Sequence, residues 1–253
     1  MAAYEIYNAD CLQQMKDIEK NSIQLILTDP PYASTDCKWD KLPDIDALFA
    51  EWKRILTTNG TIIMTMAFPA AIEFINIGRD IFKYDAVWIK DKKTNFANAK
   101  NKPMRQHENI LVFSKGTTAN GSNNKMVYNP QGLIEINKLK TCHKKGSMIG
   151  IRDNLIGNEY IQQYTNYPTT LVNINGSQHH TKHSTEKPVE LMEYLIRTYS
   201  NVGDKVLDCF CGSGTTGIAA LNTNRISILI ERDEHWYKVS KERLSNLILE
   251  KQK

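Results

Sequence analysis

The stretch "SIQLILTDPPY", residues 22–32, sets the tightest limit on what this chain can fold into. Ile23, Leu25, Ile26 and Leu27 form a short, nearly continuous apolar run, the pattern of a strand buried on both faces. Such a strand needs helices above and below it, which parallel strands acquire from their own crossover connections. Asp29 then stands at the strand's carboxyl end. Pro30 and Pro31 donate no backbone hydrogen bond and fix their own φ angles, so they stop the ladder and hold a stiff, extended loop. Tyr32 is left at the rim.

The flanking sequence repeats the theme. Asp44 or Asp46 can cap a helix through "DIDALFAEWKRIL", where Ile45, Leu48, Trp52 and Ile55 recur at helical spacing, and Gly60 is expected to end it. "TIIMTMA" predicts a strand, residues from about Pro69 to Arg79 a helix, and "KYDAVWIK" and "HENILVFSK" two more strands separated by the polar, basic "DKKTNFANAKNKPMRQ". From Lys187 the alternation resumes with a helix in "KPVELMEYLIRTYS", a strand in "DKVLDCF", a glycine turn entering a helix in "GSGTTGIAAL", a strand in "ISILIE" and a final helix in "DEHWYKVSKERLSNLILE". The whole predicts an α/β fold, a mostly parallel twisted sheet with helices on both faces, whose ligands bind at the carboxyl ends of strands. Residues 117–181, rich in Asn, Gly, Lys, Thr and Gln with short apolar pieces such as "GLIEI" and "TLVNI", are predicted to be an insertion dividing a main domain of 1–116 and 182–253.

Composition excludes more than it identifies. A hydrophobic share of 41% and a charged share of 24% suit a globular chain of 253 residues. No apolar run approaches a membrane span and "MAAYEIYNADC" has no signal-peptide pattern, so a cytoplasmic protein without a membrane partner is expected. The five cysteines, without a Cys-x-x-Cys pair, predict free thiols and no metal. Net charge is only +4, yet residues 90–152 carry +10 and the remainder −6. That concentration suits a phosphate-binding surface.

A second strand end lies in "VLDCFCGSGTTG", residues 206–217. Gly212, Gly214 and Gly217 form a G-x-G-x-x-G after a strand and before a helix, and Glu231, nineteen residues beyond Gly212, ends the next strand, where a carboxylate can accept ribose hydroxyls. This predicts a nucleoside-cofactor site. A dinucleotide, and hence a nicotinamide oxidoreductase, is a competitor, but the glycine turn lies too near the C-terminus to leave room for a second nucleotide-binding half.

At this point the motifs resemble those of the DNA amino-methyltransferases, in the beta order. There a catalytic (D/N/S)-P-P-(Y/F/W) comes first, a target-recognition region next, and an F-x-G-x-G cofactor loop last. This chain has "DPPY" at 29–32, a basic polar middle and "FCGSG" at 210–214, with further similarity in "NADC" at 8–11, "WKRILTTNGTIIM" at 52–64, "HENILVFSKG" at 107–116 and "HSTEKPVELMEYLI" at 183–196. Ser184 stands where the family usually has Pro, and Cys209 and Cys211 where Pro and Ala are usual; neither change removes a group the chemistry needs. The closely spaced thiols are expected to pack rather than chelate, and His179, His180 and His183 to lie in a polar loop.

The resemblance implies a Rossmann-like methyltransferase fold, S-adenosylmethionine as cofactor, duplex DNA as substrate and residues 117–181 as the target-recognition insertion. Asp29, Pro30, Pro31 and Tyr32 would form the reaction site. The cofactor would be held by Asp10 and Cys11 at its adenine, by Glu231 at its ribose, and by Thr185, Lys187 and the 210–216 loop at its amino-acid end, a set comprising Phe210, Gly212, Ser213, Gly214, Thr215 and Thr216; Asp29, Pro188, Asp208 and Arg232 belong to the same neighbourhood. Asp in the first motif position points to the 6-amino group of adenine, with the 4-amino group of cytosine as the alternative. A non-catalytic DNA-binding relative is argued against by the intact "DPPY", and a cytosine 5-position enzyme by the absence of any Pro-Cys. A homodimer and a cognate restriction endonuclease are further expectations from the resemblance, and Gln131, Gln162 and Gln178 are candidates to read adenine edges.

Overall fold

A computed structural model describes residues 4–31, 42–141, 157–175 and 186–251. Strands β1 (Tyr4–Asn8), β2 (Ile23–Thr28), β3 (Leu56–Met66), β4 (Phe82–Thr94) and β5 (Arg105–Ser114) alternate with helices α1 (Cys11–Met15), α2 (Ile45–Ile55) and α3 (Ala70–Ile77) in the first half. After β6 (Ile134–Thr141), β7 (Glu159–Thr165) and β8 (Leu171–Asn173), helix α4 (Val189–Tyr199) leads to β9 (Lys205–Asp208), α5 (Thr215–Asn222), β10 (Ile226–Glu231) and α6 (Glu234–Lys251).

The main sheet has the order β1-β10-β9-β2-β3-β5-β4-β8. Every neighbouring pair is parallel except the two that β5 makes, so β5 alone runs against the rest. Strand β2 is covered on both faces, as its apolar run requires: Ile26 meets the layer of α1, α2 and α3, while Leu25 and Leu27 meet α4 and α5. Leu244 of α6 packs with Leu229 and Leu221 in a third cluster.

Local chemistry explains the helix starts. Asp44 caps α2 by accepting from the Ala47 amide at 3.0 Å, and Asp10 caps α1 by accepting from the amides of Leu12 and Gln13 at 3.0 and 3.3 Å. The expected end of α2 at Gly60 is corrected: the helix stops at Ile55, and the chain turns extended at Leu56 to begin β3, in which Gly60 is an interior residue. The apolar, β-branched run that follows draws the chain into the sheet sooner than the glycine could end the helix. Strands β4 and β5 likewise extend into the polar stretch that separates them, leaving a connection of residues 95–104 that contains one short helical turn at Phe96–Asn98.

The chain divides into two compact units, one of residues 1–129 and 170–253 and one of Pro130–Thr169. The second is narrower than the expected 117–181 insertion. Within it β6 and β7 pair antiparallel, with Lys138 opposite Gln162, Leu139 opposite Ile161 and Lys140 opposite Tyr160. Among the described residues, no helix is long and apolar enough to cross a membrane.

Gly78, at the end of α3, faces the rings that tie this helix to the sheet. A Cβ there would stand 2.4 Å from Phe49 Cε1 and 2.7 Å from Phe113 Cε1. Gly78→Ala is expected to destabilise the fold by about 1–3 kcal/mol through overpacking, measured as a lower denaturation midpoint; an unchanged midpoint would contradict the packing described.

Candidate active site

Strand order creates the site. From β2 the chain leaves through α2 toward β3, and from adjacent β9 it leaves through α5 toward β10 on the other side, so the carboxyl ends of β2 and β9 flank the point where the order reverses. A cleft of about 360 Å³ opens there, lined by the ends of β1, β2, β9 and β10.

The glycine loop forms one wall. Gly212 and Gly214 adopt φ of +51° and +84°, and a Cβ on Gly214 would lie 2.7 Å from Ser240 Cβ on α6, so the turn needs glycine for both backbone and space. Side chains then fix it. Glu231 Oε2 accepts from the Gly212 amide at 2.8 Å and its Oε1 from the Asp233 amide at 2.8 Å. Glu186, just before α4, accepts from Thr215 Oγ1 at 3.0 Å and pairs with Arg243 at 2.9 Å, while Arg243 also donates to the Ser213 carbonyl at 2.6 Å. Burial raises the Glu231 carboxyl, opposed by the amides of Asp233 and Gly212.

Asp208, buried at the end of β9, accepts from Thr28 Oγ1 at 2.7 Å, the Phe210 amide at 3.1 Å and Thr216 Oγ1 at 2.6 Å. Burial pushes its carboxyl up to about 6 despite those three donors. Burial also pushes the Cys11 thiol up to about 12 and those of Cys209 and Cys211 well above their ordinary value, which keeps them protonated.

The other wall carries Asp29. Its Oδ1 accepts from Thr65 Oγ1 at 2.8 Å, and its Oδ2 pairs with Lys187 Nζ at 2.5 Å. The Lys187 side chain is 8% exposed and that of Asp29 26%; both residues line the cleft, the carboxylate as the more open of the two. Burial raises the Asp29 carboxyl, with Lys187 opposing and Glu108 adding to the rise. Glu108 stands 3.4 Å from Lys187 and pairs with Lys90 at 2.9 Å. Burial would raise Glu108 too, but the two lysines hold it below the usual carboxylate range.

Of the residues singled out from the sequence, Asp10, Cys11, Asp29, Pro30, Pro31, Lys187, Asp208, Phe210, Gly212, Ser213, Thr215, Thr216, Glu231 and Arg232 all line the cleft. Pro188 instead starts α4, and Gly214 shapes the turn behind the lining. Tyr32, Thr185, Gln178, Ser184 and the three histidines at 179, 180 and 183 lie outside the described residues. Sequence reasoning missed Thr65, Lys90, Glu108, Glu186 and Arg243 as parts of the site. A signal existed for Glu108, one of three acids in the strongly basic stretch 90–152.

Because the folded Asp208 carboxyl lies near 6 and its unfolded value near 4, it binds more protons when folded, and stability is lost as pH rises through that window. A shift of about 2 units corresponds to about 3 kcal/mol. Asp208→Asn is therefore expected to gain stability relative to the parent by about that amount between pH 4 and pH 7; a pH-independent difference in denaturant unfolding would contradict the raised value.

Comparison with known proteins agrees with this geometry. A family model described as DNA methylase, of the N6/N4 type, matches residues 23–242. The type II methyltransferase M.HinfI of Haemophilus influenzae is 28% identical across 96% of this chain and 68% of its own length. The DNA adenine methyltransferase YhdJ of Escherichia coli (strain K12) is 29% identical across 96% of this chain and 83% of its own. Among solved structures, the M1.HpyAVI–SAM complex is similar with a TM-score of 0.64 and 25% identity, covering 95% of this chain and 100% of that one. The cytosine-N4-specific PvuII DNA methyltransferase shares the fold at a TM-score of 0.68 and 18% identity, covering 95% and 88%. With the matched region spanning both strand ends that build the cleft, the chain belongs to the N6/N4 DNA methylase family.

Proposed function

We propose that the protein methylates the 6-amino group of adenine in duplex DNA at a specific sequence, with S-adenosylmethionine as methyl donor. The observation that carries this reading is the presentation of Asp29: an ionisable carboxylate at a strand end, anchored by Thr65 and Lys187 and open to a cleft that a cofactor can share. Among the described residues, seven carboxylates and two cations line that cleft, a charge suited to a sulfonium and ammonium rather than to the pyrophosphate of a nicotinamide dinucleotide. Leu12, Phe210 and Trp236 give apolar wall for a purine ring, and Glu231 a carboxylate for ribose hydroxyls. The residues present therefore fit the cofactor.

When bound, S-adenosylmethionine supplies an electrophilic methyl group on sulfur. The target amine is a weak nucleophile because its lone pair is delocalised into the base. Asp29 and the Pro30 carbonyl accept its N–H hydrogens and draw the nitrogen toward tetrahedral geometry. Both acceptors are held before the base arrives, Asp29 by its two partners and Pro30 by the proline-rigid loop, so little reorganisation is needed. Each Asp29 oxygen keeps a further lone pair for the amine. Tyr32 is assigned as the stacking face for the flipped base.

Adenine is favoured by Asp at the first motif position and by the adenine-specific relative; the cytosine 4-amino group is the second reading, favoured by the fold shared with a cytosine-N4 enzyme. Target recognition is assigned to residues 117–181. On the β6–β7 ribbon Lys138 and Lys140 would hold phosphates and Gln162 would read a base edge, a two-stranded ribbon being of a size the major groove admits. A cognate endonuclease is included in this reading because several relatives are named as type II methyltransferases, and a homodimer on the motif resemblance alone.

Labelled S-adenosylmethionine incubated with unmethylated duplex DNA is expected to yield labelled N6-methyladenine on nucleoside analysis. Label on N4-methylcytosine would move the function to the second reading, and no label would overturn both. Asp29→Ala is expected to lower the transfer rate by at least about 100-fold with cofactor affinity nearly intact; retention of the rate would remove Asp29 from the chemistry. Glu231→Gln is expected to weaken cofactor binding about tenfold or more by calorimetry, given the 1.5–3 kcal/mol typical of hydrogen bonds to charged groups; unchanged affinity would sink the ribose assignment.

A further inference from the structure

Four neighbouring strands place one polar residue each near the cleft on the face covered by α4. Lys90 on β4 and Glu108 on β5 share alternation with Trp88, Ile110 and Val112 of the apolar cluster beneath α4, and Thr65 on β3 and Asp29 after β2 continue the row with Ile63 and Leu27. Lys187, entering α4, drops its ammonium between the two carboxylates of that row. The charges alternate as Lys90, Glu108, Lys187, Asp29. Nothing in the methyl-transfer chemistry calls for the first two, yet both are largely buried, at 18% and 13% side-chain exposure, a costly placement for charged groups.

We infer that Glu108 is a positioning residue for methyl transfer, sharing the Lys187 ammonium with Asp29 so that the Asp29 carboxylate is left incompletely neutralised, and hence a stronger acceptor for the target amine. The inference rests on the role of Asp29 proposed above. Glu108 Oε2 is buried and lies 3.4 Å from Lys187 Nζ, close enough to act on the ammonium through its charge. Lys90, bonded to the other oxygen at 2.9 Å, keeps Glu108 ionised. Without Glu108 the Lys187 charge is left to Asp29 alone, which makes that carboxylate a weaker acceptor and a weaker base.

The charged groups facing Asp29 are Lys187 from the start of α4, Glu108 from β5, with Lys90 of β4 behind it, and Asp208 from β9; Thr65 of β3 is its neutral donor. Two substitutions in this set act on Asp29 with opposite sign. Glu108→Gln removes a negative charge, so Asp29 should ionise at lower pH. Lys90→Met removes a positive charge and leaves Glu108 less neutralised, so Asp29 should ionise at higher pH.

The test is the pH dependence of single-turnover methyl transfer to duplex DNA, with S-adenosylmethionine affinity and thermal midpoint measured alongside. Glu108→Gln is expected to slow transfer about tenfold at the optimum, to leave S-adenosylmethionine affinity unchanged and to move the acid limb down by roughly half a unit or more. Lys90→Met is expected to move the limb up. An unmoved acid limb in both variants, or shifts of the same sign, would overturn the inference, since loss of packing alone has no means of giving opposite shifts. If Glu108→Gln does not fold, the sign of the Lys90→Met shift decides. Asp29→Ala in the same assay separates the two levels: retained transfer there defeats the proposed role of Asp29, whereas its loss together with unshifted limbs defeats only the role of Glu108.

Discussion

The hydrogen bond from Thr28 to the buried Asp208 joins the two strand ends on which everything else depends. Its partners are 180 residues apart in sequence. They meet because β2 pairs parallel with β9, Leu25 beside Val206 and Ile26 beside Leu207. One strand carries the chain on to Asp29 and the prolines, the other to the glycine loop. A buried carboxylate with three donors is a demanding tie, since every donor must be in place to offset desolvation. Met in this way, the requirement holds the two strand ends that line the cleft at a fixed separation.

The glycine loop and the Asp29 carboxylate are then stabilised in different ways. The glycine turn is held by many modest contacts, with Glu231, Glu186, Arg243 and Ser240 each bonding a backbone group or hydroxyl. Asp29 is held by a row of charges crossing four strands, in which each ion has an opposite neighbour. Hydrogen bonds to backbone suit a wall that must be shaped around a cofactor. A charge row suits a group whose basicity matters, because its members adjust one another's ionisation at short range through a poorly solvated medium.

The β6–β7 ribbon follows another logic. Its two strands form a compact unit of their own, with most side chains exposed, among them Leu139, Tyr160 and Ile161. An isolated two-stranded ribbon has little core to stabilise it. Exposed apolar and aromatic side chains of this kind are open to contact with a partner, which suits the reading of this segment as the target-recognition region.

The alternation of apolar strands with amphipathic helices determined the α/β fold, because a strand apolar on both faces has few other ways to be covered. The motifs at 29–32 and 206–217 determined the cleft, because Asp, Pro and Gly at strand ends are local backbone devices legible without partners. Where sequence misled, tertiary context overruled a local signal: Gly60, a plausible helix stop, became an interior strand residue once the following apolar run joined the sheet. Only the tertiary structure decided that Lys187 reaches Asp29, that Glu108 and Lys90 stand behind it, and that Glu186 and Arg243 brace the glycine loop. These pairings span roughly 20 to 160 residues of chain and depend on strand order and on the parity of side chains along each strand, which no local pattern encodes.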